Sequence, residues 1–168
     1  MPLFRWRRVV VVPRSHPLAA LERAPTLAEL AALPLLSYDS SQRAESSLRR
    51  AFAAQGLAPQ FAMTAHEGDL LKTYVRAGLG VGILAEMAVS LIDDPDLRAL
   101  PAPDVIAECT AWAVMPRERV LRDYAVRLLQ ELAPQLDRHD LRRAVAGHAE
   151  PAWPLPPTWV ERSQTITS

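Results

Sequence analysis

Two short polar segments of the sequence carry the side chains best suited to binding a small solute. The first spans residues 37–43 and the second spans residues 64–69. Each follows a predicted strand and precedes a predicted helix, and open α/β sheets bind ligands at such places, beyond the carboxyl ends of their strands. Hydroxyl groups and exposed backbone amides there suit a small anion, to which an arginine and a histidine add positive charge. The candidate binding residues are Ser40, Ser41, Gln42, Arg43, Thr64 and His66.

The same residues also permit a simpler interpretation, in which serine, threonine and aspartate before a helix only cap its first turn. Asp39, Glu67 and Asp69 add negative charge, which disfavours a bare anion unless they point away or pair with arginine. Two such segments at equivalent places in the chain favour binding over capping. The sequence alone leaves both interpretations open.

Catalytic and metal-binding patterns are weak in this sequence. Ser40, His66 and Asp69 have the residue types of a hydrolytic triad, but no G-x-S-x-G turn accompanies them. The glycines within residues 78–82 leave a predicted helix and enter a predicted strand, which is the reverse of the order in a dinucleotide-binding loop. Cys109 is the only cysteine, and no H-E-x-x-H spacing is present. We therefore expect no catalysis, no metal ion and no cofactor.

Alternating apolar runs and amphipathic stretches position the two polar segments. Residues 9–12 are four valines, which is typical of a strand buried on both faces. Thr26 and Glu29 have the spacing of a capping box at the start of a short helix. This alternation predicts the α/β class, with a mainly parallel sheet flanked by helices. The predicted strands are 9–12, 35–38, 60–64, 81–84 and 109–115, and the predicted helices are 26–32, 44–55, 67–77, 119–132 and 137–147.

Composition limits the classes of protein that fit. Hydrophobic residues make up 49% of the 168 residues, which is enough for the packed core of one domain. The 19 basic and 19 acidic residues cancel, so no net positive field favours nucleic acid. The apolar run at residues 9–12 is too short for a signal peptide or a membrane span, and one cysteine fits a reducing compartment. We expect a cytoplasmic protein without membrane contact, and an extended or disordered tail from Pro151 onward.

Three stretches together resemble LysR-type transcriptional regulators. Residues 9–13, followed by His-Pro-Leu-Ala at 16–19, are similar to the entry into the second lobe of the family's effector-binding domain. Thr-Leu-Ala-Glu-Leu at 26–30 resembles the helix that follows. Val-Arg-Ala-Gly-Leu-Gly-Val-Gly-Ile-Leu at 75–84 resembles the glycine-rich block of the family. The order and spacing of these stretches make the resemblance fairly specific.

Within the family, the sequence is most similar to the branch that controls sulfur acquisition, the CysB and Cbl group. The resemblance covers about residues 2–136. In that branch, a threonine in the loop after the second strand contacts a sulfate-like anion, and Arg43 stands at its position here. An arginine can still hold a sulfate or sulfonate through a forked contact. The similar residues are 4–8, Thr64, Ala65, Asp69, 72–76, 86–89 and the turn at 94–97.

The resemblance implies a type II periplasmic-binding-protein-like fold, with two α/β lobes and a cleft between them. On this mapping, residues 1–4 cross between the lobes and residues 5–108 are the complete second lobe. Residues 109–136 return into an incomplete first lobe, and residues 137–168 are a C-terminal helix and a proline-rich tail. The chain would then be truncated at its N-terminus. The returning segment would lose its sheet partners, and the apolar face of its helix would be left partly uncovered.

The function that the resemblance implies is sensing without catalysis. The effector would be a small sulfur-containing anion, namely sulfate, a sulfonate or a cysteine precursor. The intact protein would be a homo-oligomer, a dimer or tetramer, that contacts DNA only through a missing N-terminal domain. Two alternatives stay open: a solute-binding protein of the same fold, which would carry a secretion signal, and an interaction fragment that modulates full-length regulators.

Overall fold

The computed structural model describes residues 1–90, 92–116 and 120–166, and the chain divides into two compact units. The central unit is Arg7–Glu108. The terminal unit joins Met1–Trp6 to the chain from Cys109 onward. The lobe boundaries that the resemblance implies, with residues 5–108 as the second lobe, stay a prediction.

Seven strands and six α-helices make up the described part of the chain. In chain order the strands are β1 (Pro2–Trp6), β2 (Arg8–Pro13), β3 (Pro34–Tyr38), β4 (Gln60–Ala65), β5 (Val81–Ala85), β6 (Leu97–Pro101) and β7 (Cys109–Trp112). The helices are α1 (Leu27–Ala31), α2 (Ser47–Ala54), α3 (Gly68–Arg76), α4 (Asp123–Leu132), α5 (Arg138–Val145) and α6 (Trp159–Ile166). Within the described residues, no helix combines the length and apolar character that crossing a membrane requires.

Five strands form the sheet of the central unit, in the order β4-β3-β5-β2-β6. β3 runs parallel to β4 and β5, whereas β2 runs antiparallel to both of its neighbours, β5 and β6. Four strands therefore share one direction, and β2 alone opposes them. The predicted α/β class is confirmed, with a mixed sheet in which one strand is reversed.

The valines of β2 lie at the centre of the central unit. Val10, Val11 and Val12 have no exposed surface. Val10 and Val12 pack in the apolar cluster that includes residues of α1 and α2, while Val11 packs in the cluster that includes residues of α3. Because side chains alternate along a strand, β2 is covered on both faces, as its unbroken run of valines predicted.

The glycine-rich block connects α3 to β5. Gly78 follows α3 with a φ of 73°, the left-handed conformation that glycine adopts without strain at a helix end. At Gly80, an added Cβ would lie 2.4 Å from the carbonyl oxygen of Pro34, so any larger residue would push β5 away from β3. Residues 78–84 are therefore a helix exit that leads into a central strand, and this confirms the arrangement on which the family resemblance depends.

The terminal unit contains a two-stranded antiparallel sheet of β1 and β7. The strand predicted at 109–115 ends at Trp112, and the expectation that it would lack a partner is wrong, because β1 pairs with it. The helix predicted at 119–132 begins at Asp123, and residue 119 lies outside the described residues. The N-terminal segment thus supplies the strand partner that the sequence analysis did not foresee.

Helix α4 buries one face and exposes another. Val126 and Leu129 are buried in a cluster with Leu141 and Val145 of α5, whereas Leu128 is 58% exposed. The apolar face of α4 is therefore partly uncovered, as the mapping onto an incomplete first lobe led us to expect. Helix α5, which lies beyond the resemblance, covers the rest.

The last part of the tail is helical, and the expectation of an extended segment is wrong there. Thr158 and Glu161 form a capping box at the start of α6, with the Thr158 amide donating to the Glu161 carboxylate at 2.7 Å. The Trp159 ring lies 5.5 Å from the ring of Phe4 in β1, measured between centroids. The Thr-x-x-Glu spacing is a helix signal that the high proline content of the preceding residues concealed.

Candidate solute-binding site

The two polar segments meet at one edge of the central sheet. β3 pairs in parallel with β4, with Tyr38 opposite Ala65, so the loops that follow the two strands emerge side by side. The side-chain amide of Gln42 lies 3.4 Å from the hydroxyl of Thr64 and donates to it. The side chain of His66 lies 3.1 Å from the carboxylate of Asp39. Both contacts join the first loop to the second.

Within the first loop, Ser41 points inward. Its side chain is 1% exposed, and its hydroxyl lies 2.9 Å from that of Ser37, which also lies 2.8 Å from the carbonyl oxygen of Ile83. A carbonyl only accepts and a hydroxyl has one proton, so Ser37 donates its hydrogen bond to Ile83 and accepts one from the Ser41 hydroxyl. Ser41 therefore ties the first loop to β5 through Ser37, and its hydroxyl points into the protein and not toward a solute.

The other candidate residues lie at the surface of the two loops. Ser40, Gln42 and Arg43 are exposed, Thr64 is half-buried, and the side chain of His66 is 90% exposed. The structure therefore brings together five of the six candidates on one accessible edge. These five offer a cationic guanidinium, an imidazole, an amide and two hydroxyls.

Two of the acidic residues in the two loops lie next to basic side chains. Asp39 lies beside His66, and Asp69 pairs with Lys72 at 3.0 Å. The ammonium group of Lys72 offsets the negative charge of Asp69 that an anion would meet at this edge. The objection that the carboxylates exclude an anion therefore loses force for Asp69.

Two residues that the sequence analysis did not select also lie at this edge. The Tyr38 hydroxyl accepts a hydrogen bond from the backbone amide of Ala85 at 3.4 Å, which links the ends of β3 and β5. Arg8 begins β2 opposite Ala85, and its Nη1 donates to the hydroxyl of Ser47 at 2.7 Å. The sequence analysis named Arg8 only within the stretch 4–8 that resembles the CysB and Cbl branch, because its place at this edge depends on the reversed direction of β2.

An ion-pair network holds α3, which begins at the second loop. Lys72 Nζ donates to Asp94 at 2.9 Å, and Arg76 Nη2 donates to the other oxygen of the same carboxylate at 2.8 Å. Burial raises the pKa of Asp94, but the hydrogen bonds from Lys72 and Arg76 outweigh burial and leave the pKa below its ordinary value. Arg76 also bonds to Asp96 at 2.8 Å. The network therefore ties α3 to the segment that leads into β6.

Metal ligation has no support in the described residues, where no group of three histidine, cysteine, aspartate or glutamate side chains has the spacing to hold an ion. The sheet edge instead carries hydrogen-bond donors and basic side chains beside Asp39, Glu67 and Asp69. Donors arranged in this way can hold a small anion.

The family described as the LysR substrate binding domain matches residues 1–137. The chain belongs to this family. Its fold is accordingly the type II periplasmic-binding-protein-like α/β fold. The solved cofactor-binding domain of the Cbl transcriptional regulator is similar, with a TM-score of 0.79 and 31% identity, over 88% of this chain and 64% of that one.

Curated relatives of this chain include transcriptional regulators named CysB, Cbl and SsuR. It is 38% identical over 151 residues to the HTH-type transcriptional regulator CysB of Burkholderia cenocepacia, and the match covers 89% of this chain and 48% of that protein. SsuR of the same organism is 35% identical over 83% of this chain and 45% of its own length. The cbl regulator of Escherichia coli is 32% identical, over 89% of this chain and 47% of its own length. The chain therefore spans about half the length of these relatives.

The resemblance to the CysB and Cbl branch is confirmed, and the structure gives part of it a physical basis. Residues 72–76 and 94–97, which are far apart in sequence, meet in the ion-pair network of α3.

Proposed function

We propose that this chain is the effector-sensing part of a cytoplasmic LysR-type regulator and that its effector is a small sulfur-containing anion. The candidate anions are sulfate, a sulfonate or a cysteine precursor. Regulators of this family bind small-molecule effectors and oligomerise, and the matched relatives belong to the CysB, Cbl and SsuR group. One observation carries the proposal: two loops rich in donors lie side by side at the ends of parallel strands β3 and β4.

Five exposed or half-buried side chains are proposed to contact the effector. Arg43 supplies a planar guanidinium that matches two oxygens of a sulfate or sulfonate. The other four side chains supply hydrogen bonds around the anion, and buried Ser41 holds the first loop in place. The proposed contacts are Ser40, Gln42, Arg43, Thr64 and His66. No covalent step is involved, so the chain acts by binding and not by catalysis.

The proposed domain organisation follows the mapping onto two lobes. Residues 5–108 are the second lobe, residues 1–4 cross into it, residues 109–136 belong to the first lobe, and residues 137–168 are a C-terminal addition. Because the chain spans about half of its relatives, one wall of the cleft is the part proposed to be present. DNA binding is assigned to a separate domain, and the intact regulator to a dimer or tetramer.

Amide chemical shifts of the purified chain test the proposal. Sulfate, thiosulfate and methanesulfonate are titrated at constant ionic strength, with chloride as the reference anion. We expect shifts confined to residues 39–43 and 64–67 and a dissociation constant of about 1 mM or weaker, because one wall of the cleft contributes few contacts. Arg43→Gln should weaken binding, whereas Arg50→Gln, on the exposed surface of α2, should leave it unchanged.

Three results would contradict the proposal. Shifts elsewhere in the chain, or identical shifts with chloride, would show that the loops do not select a sulfur anion. Nanomolar binding by this chain alone would show that the single wall is already a complete site. Turnover of any substrate would remove the distinction between sensing and catalysis.

A further inference from the structure

One contact between the two polar loops uses a group that the proposed effector would need. Nε2 of His66 lies 3.1 Å from a carboxylate oxygen of Asp39. Asp39 directly follows β3 and His66 directly follows β4, and these two strands run parallel to each other. A carboxylate of the chain itself therefore already lies against one of the five proposed contact residues.

The three acidic residues at this edge differ in what they contact. Asp69, in the first turn of α3, pairs with Lys72 at 3.0 Å. Glu67 is exposed, and its side chain makes no capping hydrogen bond at the start of α3. Asp39 instead reaches across to the other loop, where it meets a residue that is proposed to bind the effector. Of these three acidic residues, Asp39 is accordingly the one that lies where it can affect binding directly.

A carboxylate and an oxyanion effector require the same kind of donor. Both present negatively charged oxygens that accept hydrogen bonds from N–H groups. Each imidazole nitrogen carries at most one proton, so Nε2 of His66 cannot fully serve Asp39 and a bound anion at the same time. The side chain of Asp39 is 41% exposed and that of His66 is 90% exposed, so the two can separate without disturbing the core.

A second contact between the loops also involves proposed effector-binding residues. The side-chain amide of Gln42 donates to the hydroxyl of Thr64 at 3.4 Å. Both of these groups are neutral, so an anion can lie between them and accept a hydrogen bond from each. The Asp39 carboxylate differs, because its negative charge repels an anion that approaches His66. Binding therefore requires that Asp39 moves away from the imidazole.

We infer that Asp39 is a built-in competitor of the effector: its carboxylate occupies His66 in the ligand-free chain, and a small anion displaces it on binding. This inference rests on the proposed function, since it concerns the regulation of the same site. Its consequence is opposite in sign to that of a residue that contacts the effector, because removing Asp39 should strengthen binding. Exposed pairs of this kind are weak, so the competition raises the anion concentration that is needed without closing the site.

Affinities of matched variants for sulfate test the inference, measured by the amide titration against chloride at an ionic strength of about 0.15 M. Asp39→Ala removes both the charge and the acceptor, and it should tighten binding about threefold, since an exposed pair contributes up to about fivefold. Asp39→Asn keeps an acceptor oxygen without the charge and should lie between wild type and Asp39→Ala. Glu67→Ala is the control, because it removes a negative charge beside His66 in the sequence. It should change the affinity by less than about 1.5-fold, because salt screens an exposed charge that acts through solvent.

A His66→Ala background separates competition for the imidazole from simple repulsion. Without the imidazole, Asp39→Ala should change the sulfate affinity no more than Glu67→Ala does in the wild type, because the donor for which Asp39 competes is gone. The ligand-free chain provides a second measurement. Asp39→Ala should shift the imidazole nitrogen resonances of His66 and leave those of His16 unchanged, since His16 accepts a hydrogen bond from the Leu18 amide in a different turn.

The outcomes distinguish this inference from the proposed function. A gain in affinity cannot come from a misfolded chain, so tighter binding by Asp39→Ala supports the inference. Unchanged or weaker binding by Asp39→Ala, an equal gain in Glu67→Ala, an equal gain without His66, or unshifted His66 resonances would overturn the role of Asp39 while leaving the anion site intact. If neither the wild type nor Asp39→Ala shows sulfate shifts at residues 39–43 and 64–67 beyond those with chloride, the proposed function and the inference fall together.

Discussion

Replacing Asp94 by asparagine should destabilise the central unit strongly. The Asp94 carboxylate is 3% exposed, and it accepts hydrogen bonds from Lys72 at 2.9 Å, from Arg76 at 2.8 Å and from the Ser90 amide at 3.1 Å. The variant removes the buried negative charge, so among the described residues Lys72, which is 8% exposed, keeps only one carboxylate partner, the exposed Asp69. Removing one partner of a buried ion pair costs about 3–5 kcal/mol of folding stability. Because Lys72 keeps Asp69 as a partner, we expect a loss at the lower end of this range, about 3 kcal/mol.

Amide hydrogen exchange is the appropriate assay, because it reads each unit separately. All four tryptophans lie in the terminal unit, so tryptophan fluorescence does not report on the central one; they are Trp6, Trp112, Trp153 and Trp159. We expect the exchange free energy of the slowest amides of β2 and β5 to fall by about 3 kcal/mol in Asp94→Asn. Asp96→Asn is the control, because the Asp96 side chain is 53% exposed and its pairing with Arg76 is screened.

The same variant tests how the stability of the central unit depends on pH. The pKa of Asp94 is below its ordinary value in the folded chain, so its contribution is present above the unfolded pKa of about 4 and is lost as the pH falls through the folded pKa. The difference in exchange free energy between wild type and Asp94→Asn should therefore be largest at neutral pH and decrease in acid. Equal stability of the two proteins at pH 7, or equal losses in Asp94→Asn and Asp96→Asn, would refute the reasoning.

Other substitutions test the packing. In the terminal unit, Leu129→Ala should cost about 2–5 kcal/mol because Leu129 is 3% exposed, whereas Leu128→Ala at 58% exposure should change stability by less than about 0.5 kcal/mol; urea unfolding followed by tryptophan fluorescence measures both, and similar losses would contradict the two faces of α4. Gly80→Ala should slow or prevent folding of the central unit, since its Cβ would lie 2.4 Å from a backbone oxygen, and a circular dichroism melt like that of the wild type would be the contrary result. Trp159→Ala should speed amide exchange in α6 and leave β5 unaffected, because its ring contact is with Phe4 in the terminal unit.

Local signals in the sequence were sufficient for much of the central unit. The run of valines in β2, the capping box of Thr26 and Glu29 and the glycine after α3 each depend on residues close together in the chain. The convergence of the two polar loops also followed, because the carboxyl ends of neighbouring parallel strands meet at one edge. These features are set by periodicity and backbone geometry, which a single sequence displays.

Features set by distant contacts were not predictable. Strand β6 is short, begins two residues after Pro95 and ends at Pro101. It pairs with β2, about 90 residues earlier in the chain, so no local pattern predicted it. The direction of β2 likewise depends on pairing with β5, and with it the place of Arg8 at the site. Residue type could not distinguish an inward serine from an outward one, which is why Ser41 was grouped with its exposed neighbours.

A crystal structure of the chain grown with selenate is the most direct test of the account, because selenate has the shape and charge of sulfate and its selenium is identified by anomalous scattering. The account predicts an anomalous peak at the ends of β3 and β4, within hydrogen-bond distance of at least two of Ser40, Gln42, Arg43, Thr64 and His66. A peak only on other surfaces, or an empty loop edge at saturating selenate, would contradict it.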